Sequence, residues 1–378
     1  MTHAGFLDFD EARVQARRFL PRALFDYIDR GTEAELALDA LRQGFDRCRV
    51  VPRVLRPVAA PDISVSVMGR RYPTPLIVAP TALAGLVRHD GEVKIARAAG
   101  AAGVPFCAAT QSSTSIEAIA GNARAAELWF QLYVWRDRGE TWKLLDRVAA
   151  QGVQTLVLTV DTPASPKKIH NQRNGFGIPL RPSLRLAADL VRHPGWTLGV
   201  MGRYWAGSGL PSYANYPPAV GTQVTSAVID PRFALDTILD LHFVEELRRR
   251  WPGKLVLKGI AHPDDASAAF GAGCDAVVVS SHGGRNHDSA ATPLEMLPAI
   301  RAAVGAEATL LADSGVRRGS DVAKLLAAGA DAVMLGRAPL YGLAAEGESG
   351  VEKMLSLIVE ELRAFLMFSG VETTSALG

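Results

Sequence analysis

The sequence predicts an α/β protein folded as a (β/α)8 TIM barrel, and two observations carry that expectation. Eight short runs of apolar or β-branched residues recur between residues 75 and 336, each about as long as a buried parallel strand. Alanine-rich helical stretches such as DGEVKIARAAGAAG (90–103) and GSDVAKLLAAGA (319–330) follow most of them, with glycine or proline at the junctions. A doubly wound open sheet is the weaker alternative, because no G-x-G-x-x-G follows the first strand.

In chain order, residues 1–74 form an N-terminal helical segment, helical over 8–48, with Pro21 opening a second helix in PRALFDYIDR. The barrel occupies 75–365. Its strands are PLIVAP (75–80), VPFCAA (104–109), LWFQLYV (128–134), TLVLTV (155–160), KLVLKG (254–259), DAVVVS (275–280), ATLLAD (308–313) and DAVMLG (331–336). Between the fourth and fifth lies a long loop or lid insert, 162–235, far longer than an ordinary βα connection. Its middle, 180–217, interleaves Arg181, Arg185, Arg192 and Arg203 with Trp196, Tyr204 and Trp205. Basic residues among tryptophans and leucines suit a surface resting on a membrane interface; an active-site lid or an oligomer contact are the other readings. Residues 366–378 are a C-terminal tail.

Composition narrows the function classes. The chain has 378 residues, 48% hydrophobic, with a net charge of +2, too mild a balance for a nucleic-acid partner. Cys48, Cys107 and Cys274 are odd in number and lack zinc-ligand spacing, so a reduced intracellular protein without a metal is expected. The first twenty residues lack a continuous apolar core, and no uncharged apolar run reaches about 18 residues. The expected location is the cytoplasm, with peripheral contact at the inner face of the membrane through 180–217.

Chemistry in such a barrel projects from the C-terminal strand ends. There the sequence places Ala79-Pro80-Thr81, Ala109-Thr110, Gln131 and Tyr133, Thr159 and Asp161, Lys258, Ser280 with His282 and Arg285, Asp313 with Arg317, and Gly336-Arg337. Polar groups ending apolar strands must meet a ligand or each other, because burying them unpaired is costly. DSGVRRGSDV and LGRAPL set glycines and an arginine before helices, the pattern of a phosphate site, with Arg317 and Arg337 adding charge-assisted bonds. Lys258 is read as a Schiff-base nucleophile or as a fixed cation beside an electron-rich ring. His282 is the candidate general base, Asp161 its partner, and Arg285 a cation beside the imidazole for a substrate that carries a carboxylate. His89, His170, His193 and His287 have no comparable setting and are read as solvated or structural.

Together FDYI, VAPTAL, WFQLYVWRDR, LTVDTP, LVLKGI, VSSHGGRNHD, LADSGVRRGSDV and LGRAPLYGLAAEGESGV give a chain that, from about Leu20 onward, resembles the FMN-dependent L-2-hydroxy-acid oxidases and dehydrogenases. The insert and the last two motifs look most like the mandelate and membrane-bound lactate dehydrogenase branch. The resemblance implies FMN along Ala79-Pro80-Thr81 and Ala109, with Gln131 and Thr159 at the polar edge of its ring. It puts Lys258 by N1 and the C2 carbonyl, Ser280 on the flavin or ribityl chain, Asp313 on ribityl hydroxyls, and Gly315, Arg317, Gly336 and Arg337 at the phosphate. His282 becomes the base, Asp161 its partner, Arg285 the carboxylate ligand, and Tyr27 and Tyr133 hydrogen-bond the carboxylate or hydroxyl. A small 2-hydroxy acid is the implied substrate, quinone or O2 the electron acceptor, and a homotetramer the implied assembly.

Four departures concern the substrate side. Lys168 stands where the family usually has an arginine, keeping charge but losing bidentate geometry. Ser281 replaces the usual asparagine before the histidine, GGRNHD replaces the usual GGRQLD through Asn286 and His287, and Ala109 replaces a common hydroxyl residue. They raise the alternative of a specialised flavin oxidase acting on a larger biosynthetic or peptide-linked substrate. A non-enzymatic flavin-binding barrel fits poorly with the intact base, arginine and aspartate.

Overall fold

In the computed structural model, which describes residues 5–175, 184–207, 209–217 and 230–377, eight parallel strands close on themselves. A short hairpin, β1 (Val65–Val67) and β2 (Arg70–Tyr72), precedes them. The barrel strands are β3 (Leu76–Val78), β4 (Phe106–Ala109), β5 (Leu128–Leu132), β6 (Thr155–Thr159), β7 (Lys254–Ile260), β8 (Ala276–Val279), β9 (Thr309–Ala312) and β10 (Ala332–Leu335). They run in chain order, and β10 pairs with β3 to complete the circle.

These runs are apolar almost throughout because both faces are buried. Alternate side chains such as Ile77, Cys107, Trp129, Val157, Val278 and Met334 fill the barrel interior. Their neighbours, among them Val78, Phe106, Phe130, Leu156, Val277 and Leu335, face the surrounding helices. Val67 and Tyr72 join the interior cluster, so the hairpin plugs the N-terminal end.

Three helices, α1 (Phe9–Phe19), α2 (Arg22–Asp29) and α3 (Leu36–Arg47), reach toward the opposite end. Asp8 caps α1 by accepting from the Glu11 amide, and Pro21 sits at the N-cap of α2. Asp29 ties this segment to the barrel: it accepts from Arg13 at 2.5 and 2.6 Å and from the Tyr341 hydroxyl at 2.6 Å. The last long helix, Glu348–Ser369, ends at Gly370 in the left-handed conformation. The expected division between barrel and tail at 365/366 therefore falls inside a continuous helix, because its apolar face keeps packing through Leu366.

The described helical parts of the insert are Ile169–Asn174, Leu184–Arg192, Pro194–Trp196, a π-helical turn Thr197–Gly202, Arg203–Ala206 and a 3-10 turn Pro231–Phe233. Arg181 and the side chain of Arg185 lie outside the described residues. The insert docks through Trp196, whose indole N–H donates to the Leu86 carbonyl at 2.7 Å, and through buried Tyr204, 4.6 Å from the His89 ring. Among the described residues no helix is long and apolar enough to cross a membrane.

Candidate functional site

The C-terminal mouth of the barrel opens into a cavity of about 700 Å³. It is lined by Tyr27, Ala79, Pro80, Thr81, Ala109, Gln131, Tyr133, Thr159, Lys168, Lys258, His282, Arg285, Asp313, Gly315, Arg317, Gly336 and Arg337. Asp161 and Ser280 stand one layer back, touching His282 and Lys258 rather than the cavity.

The loop after β8 builds the centre. His282, Gly283 and Gly284 have φ of +53°, +65° and +70°, so three successive left-handed residues curl the chain. Glycine adopts this freely, whereas a histidine there costs on the order of 1 kcal/mol, a strain its surroundings must hold. At Gly284 a Cβ would lie 2.7 Å from the Leu38 amide nitrogen, and the Gly284 carbonyl accepts from the Thr32 N–H at 3.1 Å. The Ser314 hydroxyl accepts from the Gly283 N–H at 2.9 Å and donates to Asp313 at 2.7 Å.

His282 Nδ1 lies 2.9 and 3.0 Å from the two Asp161 oxygens. With Nδ1–H donating to the carboxylate, Nε2 is the free basic nitrogen. Burial would raise the Asp161 carboxyl, but His282 and Lys258 outweigh it and hold it below its ordinary value. Asn286 donates to the Asp161 carbonyl at 2.7 Å, so one of the departures from the family pattern fixes the partner of His282 in place. Across the barrel wall, β7 shifts register between Lys258 and Ile260. Gly259 (φ +106°) makes that bulge, and a Cβ on it would meet Asp161 at 2.5 Å.

Lys258 is buried, with Nζ 2.6 Å from Asp313 and 2.9 Å from the Ser280 hydroxyl. Burial works against its ammonium form, yet the Asp313 and Asp161 charges leave it above its ordinary value. That favours a fixed cation over a Schiff-base nucleophile. Ser280 also accepts from the His282 N–H at 3.0 Å, which makes it the brace between Lys258 and His282.

At the far end, Arg337 opens the helix Arg337–Glu346 and donates to the carbonyls of Ile28 (2.9 Å) and Gly283 (3.0 Å). Burial lowers its guanidinium to about 10. No carboxylate among the described residues lies within ion-pair distance, so this cation suits an anionic ligand. Arg317 stacks 5.3 Å over the Phe9 ring, 3.7 Å from Asp10, and so leans on α1.

Whether FMN suits this cavity is tested by two orphaned groups. Gln131 Nε2 and Thr159 Oγ1, at neighbouring strand ends, are buried with no partner among the described residues. An unpaired buried amide or hydroxyl costs about 1–3 kcal/mol, so both ask for a ligand with a polar edge. A polar-edged ring beside Lys258 and an anion near Arg337 match the two ends of FMN.

On the substrate side the Tyr27 ring collects two cations, Arg285 at 5.0 Å and Lys168 Nζ at 5.1 Å from its centroid. Arg285 Nη1 donates to the carbonyls of Tyr27 (2.6 Å), Ile28 and Arg30 at the end of α2, where a helix favours positive charge. Burial, then the Asp161 charge, keeps the Tyr133 phenol protonated far above neutrality. Burial lowers Lys168 to about 7, and Arg285 adds to the effect.

Several contributors are not marked by the sequence. Ser314 lies inside DSGVRRGSDV and Arg136 inside WFQLYVWRDR without standing out from either motif, and Leu235 and Thr237 line the cavity with no motif to announce them. Asp288, the last residue of GGRNHD, accepts from the Ala34 and Ala37 amides at 2.9 and 3.1 Å and so caps α3.

Residues 16–378 match the family described as FMN-dependent dehydrogenase. The L-lactate dehydrogenase of Caulobacter vibrioides (strain NA1000 / CB15N) is 40% identical over 372 residues, spanning 98% of this chain and 95% of its own. The crystal structure of the monotopic membrane protein (S)-mandelate dehydrogenase superposes with a TM-score of 0.92 at 34% identity, covering 99% and 98% of the two chains. Mandelate oxidase with (S)-4-hydroxymandelic acid gives 0.83 at 34% identity, covering 98% and 97%. These relatives lend no support to the larger or peptide-linked substrate.

Proposed function

The chain belongs to the FMN-dependent dehydrogenase family, and on that premise we propose that it oxidises an L-2-hydroxy acid of the lactate or mandelate type to the 2-oxo acid. The observation that carries this reading is the His282–Asp161 pair, at 2.9 and 3.0 Å, in a cavity that also holds Arg285 and Lys168. FMN, held by Gln131, Thr159, Lys258, Asp313 and the loops of Gly315-Arg317 and Gly336-Arg337, supplies the electron acceptor when bound. Arg285 and Lys168 bind the carboxylate, and Tyr27 and Tyr133 orient it and the hydroxyl. His282 Nε2 takes the proton that the substrate releases, and Asp161 stabilises the imidazolium so formed. Lys258 keeps positive charge at the ring's polar edge.

Anaerobic mixing with L-lactate or (S)-mandelate should bleach the visible flavin absorbance of the purified holoenzyme. Persistent colour with both, and with longer aliphatic and aryl 2-hydroxy acids, would overturn the reading.

Quinone at a membrane is the acceptor that the insert favours. Val191, Leu198 and Trp205, spaced seven apart, are 79%, 73% and 83% exposed, and Arg192 and Arg203 accompany them. Replacing the three by serine should abolish co-flotation with anionic liposomes. Flotation undiminished in that variant, with stoichiometric peroxide formed in air, would favour O2 and a lid.

A further inference from the structure

We propose that Lys168 makes carboxylate recognition proton-linked: a monoanionic 2-hydroxy acid binds the ammonium form and takes up a proton on binding in mildly alkaline solution. The inference rests on the substrate class proposed above and concerns the lysine that stands where the family usually has an arginine.

Its basis is geometric. Lys168 and Arg285 flank one tyrosine ring at 5.1 and 5.0 Å, two like charges brought together in a partly buried cavity. The carboxylates around them are engaged elsewhere. Glu35 pairs with Arg30 at 3.1 Å and His170 at 3.5 Å, Asp26 accepts from Asn174 at 3.0 Å, Asp161 holds His282, Asp313 holds Lys258 and Asp29 holds Arg13. Among the described residues Lys168 has no ion-pair partner, and no carboxylate offsets the burial and the Arg285 charge that act on it. An anion placed between the two cations would relieve their repulsion.

A guanidinium at this position would stay charged throughout the physiological range, whereas an amine titrates. Burial and Arg285 already bring Lys168 down to about 7. A bound carboxylate favours the charged form and so raises it again. The extra binding is therefore complete below the free enzyme's value and is lost as pH rises above it.

The test uses the FMN-loaded protein and 2-hydroxy-2-methylpropanoate, which has no α-hydrogen and cannot be oxidised. Binding is read from the flavin spectrum between pH 6 and 9, and proton uptake by calorimetry at pH 8 in two buffers of different ionisation enthalpy. The native chain should bind about tenfold more weakly at pH 8 than at pH 6, taking up close to one proton at pH 8. Lys168→Arg, its folding verified by retained flavin absorbance, should bind within about twofold at both pH values and take up almost none. Equal affinity across the range in the native chain would overturn the proposal. So would an undiminished pH dependence in Lys168→Arg, which would move the proton to His282. Proton-linked binding without bleaching by any 2-hydroxy acid would refute the proposed reaction and leave this inference standing.

Discussion

On β5, Trp129 and Gln131 are two residues apart and face the same barrel interior, yet the two ends of the barrel treat them differently. Toward the N-terminal end the Trp129 indole N–H donates to Glu127 at 3.1 Å. The same carboxylate accepts from the Tyr72 hydroxyl at 2.5 Å and pairs with Arg70 at 3.0 Å. Toward the C-terminal end Gln131 Nε2 has no partner among the described residues, nor has Thr159 Oγ1 on the next strand. Nearby His282 is held in a left-handed conformation. One end closes its polar groups on each other and so contributes stability. The other forgoes some stability to present polar groups to a ligand.

Variants at each end should separate these roles. The largest effect is expected for Asp161→Asn, which keeps shape but removes the charge that stabilises a protonated His282. Flavin bleaching should slow on the order of 10³-fold with little change in melting temperature. A stability loss matching the loss of rate would put Asp161 in the structural class. Next, Glu127→Ala strands the Tyr72 hydroxyl and the Trp129 N–H. It should lower unfolding free energy by about 2–3 kcal/mol in urea titration, with the bleaching rate of the folded fraction unchanged. Smallest is Thr159→Val, which removes an unpaired buried hydroxyl. The apoprotein should gain about 1 kcal/mol or stay level, while FMN binds several-fold more weakly. Weakened apoprotein with unaltered FMN affinity would contradict the contrast between the two ends.

Much of the C-terminal end was legible in the sequence, because histidine, lysine, glutamine and arginine stand out at the ends of runs that are otherwise apolar. The N-terminal plug was not: β1 and β2 have three residues each, too few for a periodic signal. Nor does local pattern reveal what a charged residue meets across the chain. Arg285 and Arg337 converge on the carbonyls ending α2, 258 and 309 residues earlier in the sequence, and Asp288 spends its charge on the start of α3. Asp161 and Ser280 read as site residues, and the structure places them behind it, a distinction that strand-end position alone does not carry. The departures Asn286 and Lys168 were visible as departures; only the fold shows their neighbours, the Asp161 carbonyl for one and the Tyr27 ring for the other.

The central claim is that His282 is the base of a flavin-dependent 2-hydroxy-acid oxidation. It is tested most directly by anaerobic stopped-flow of the native holoenzyme and of His282→Ala with the acid that the native protein consumes. Rapid bleaching is expected in the native protein, with a loss of at least about 100-fold in the variant, whose flavin absorbance before mixing is unchanged. Bleaching of His282→Ala at the native rate would contradict that claim.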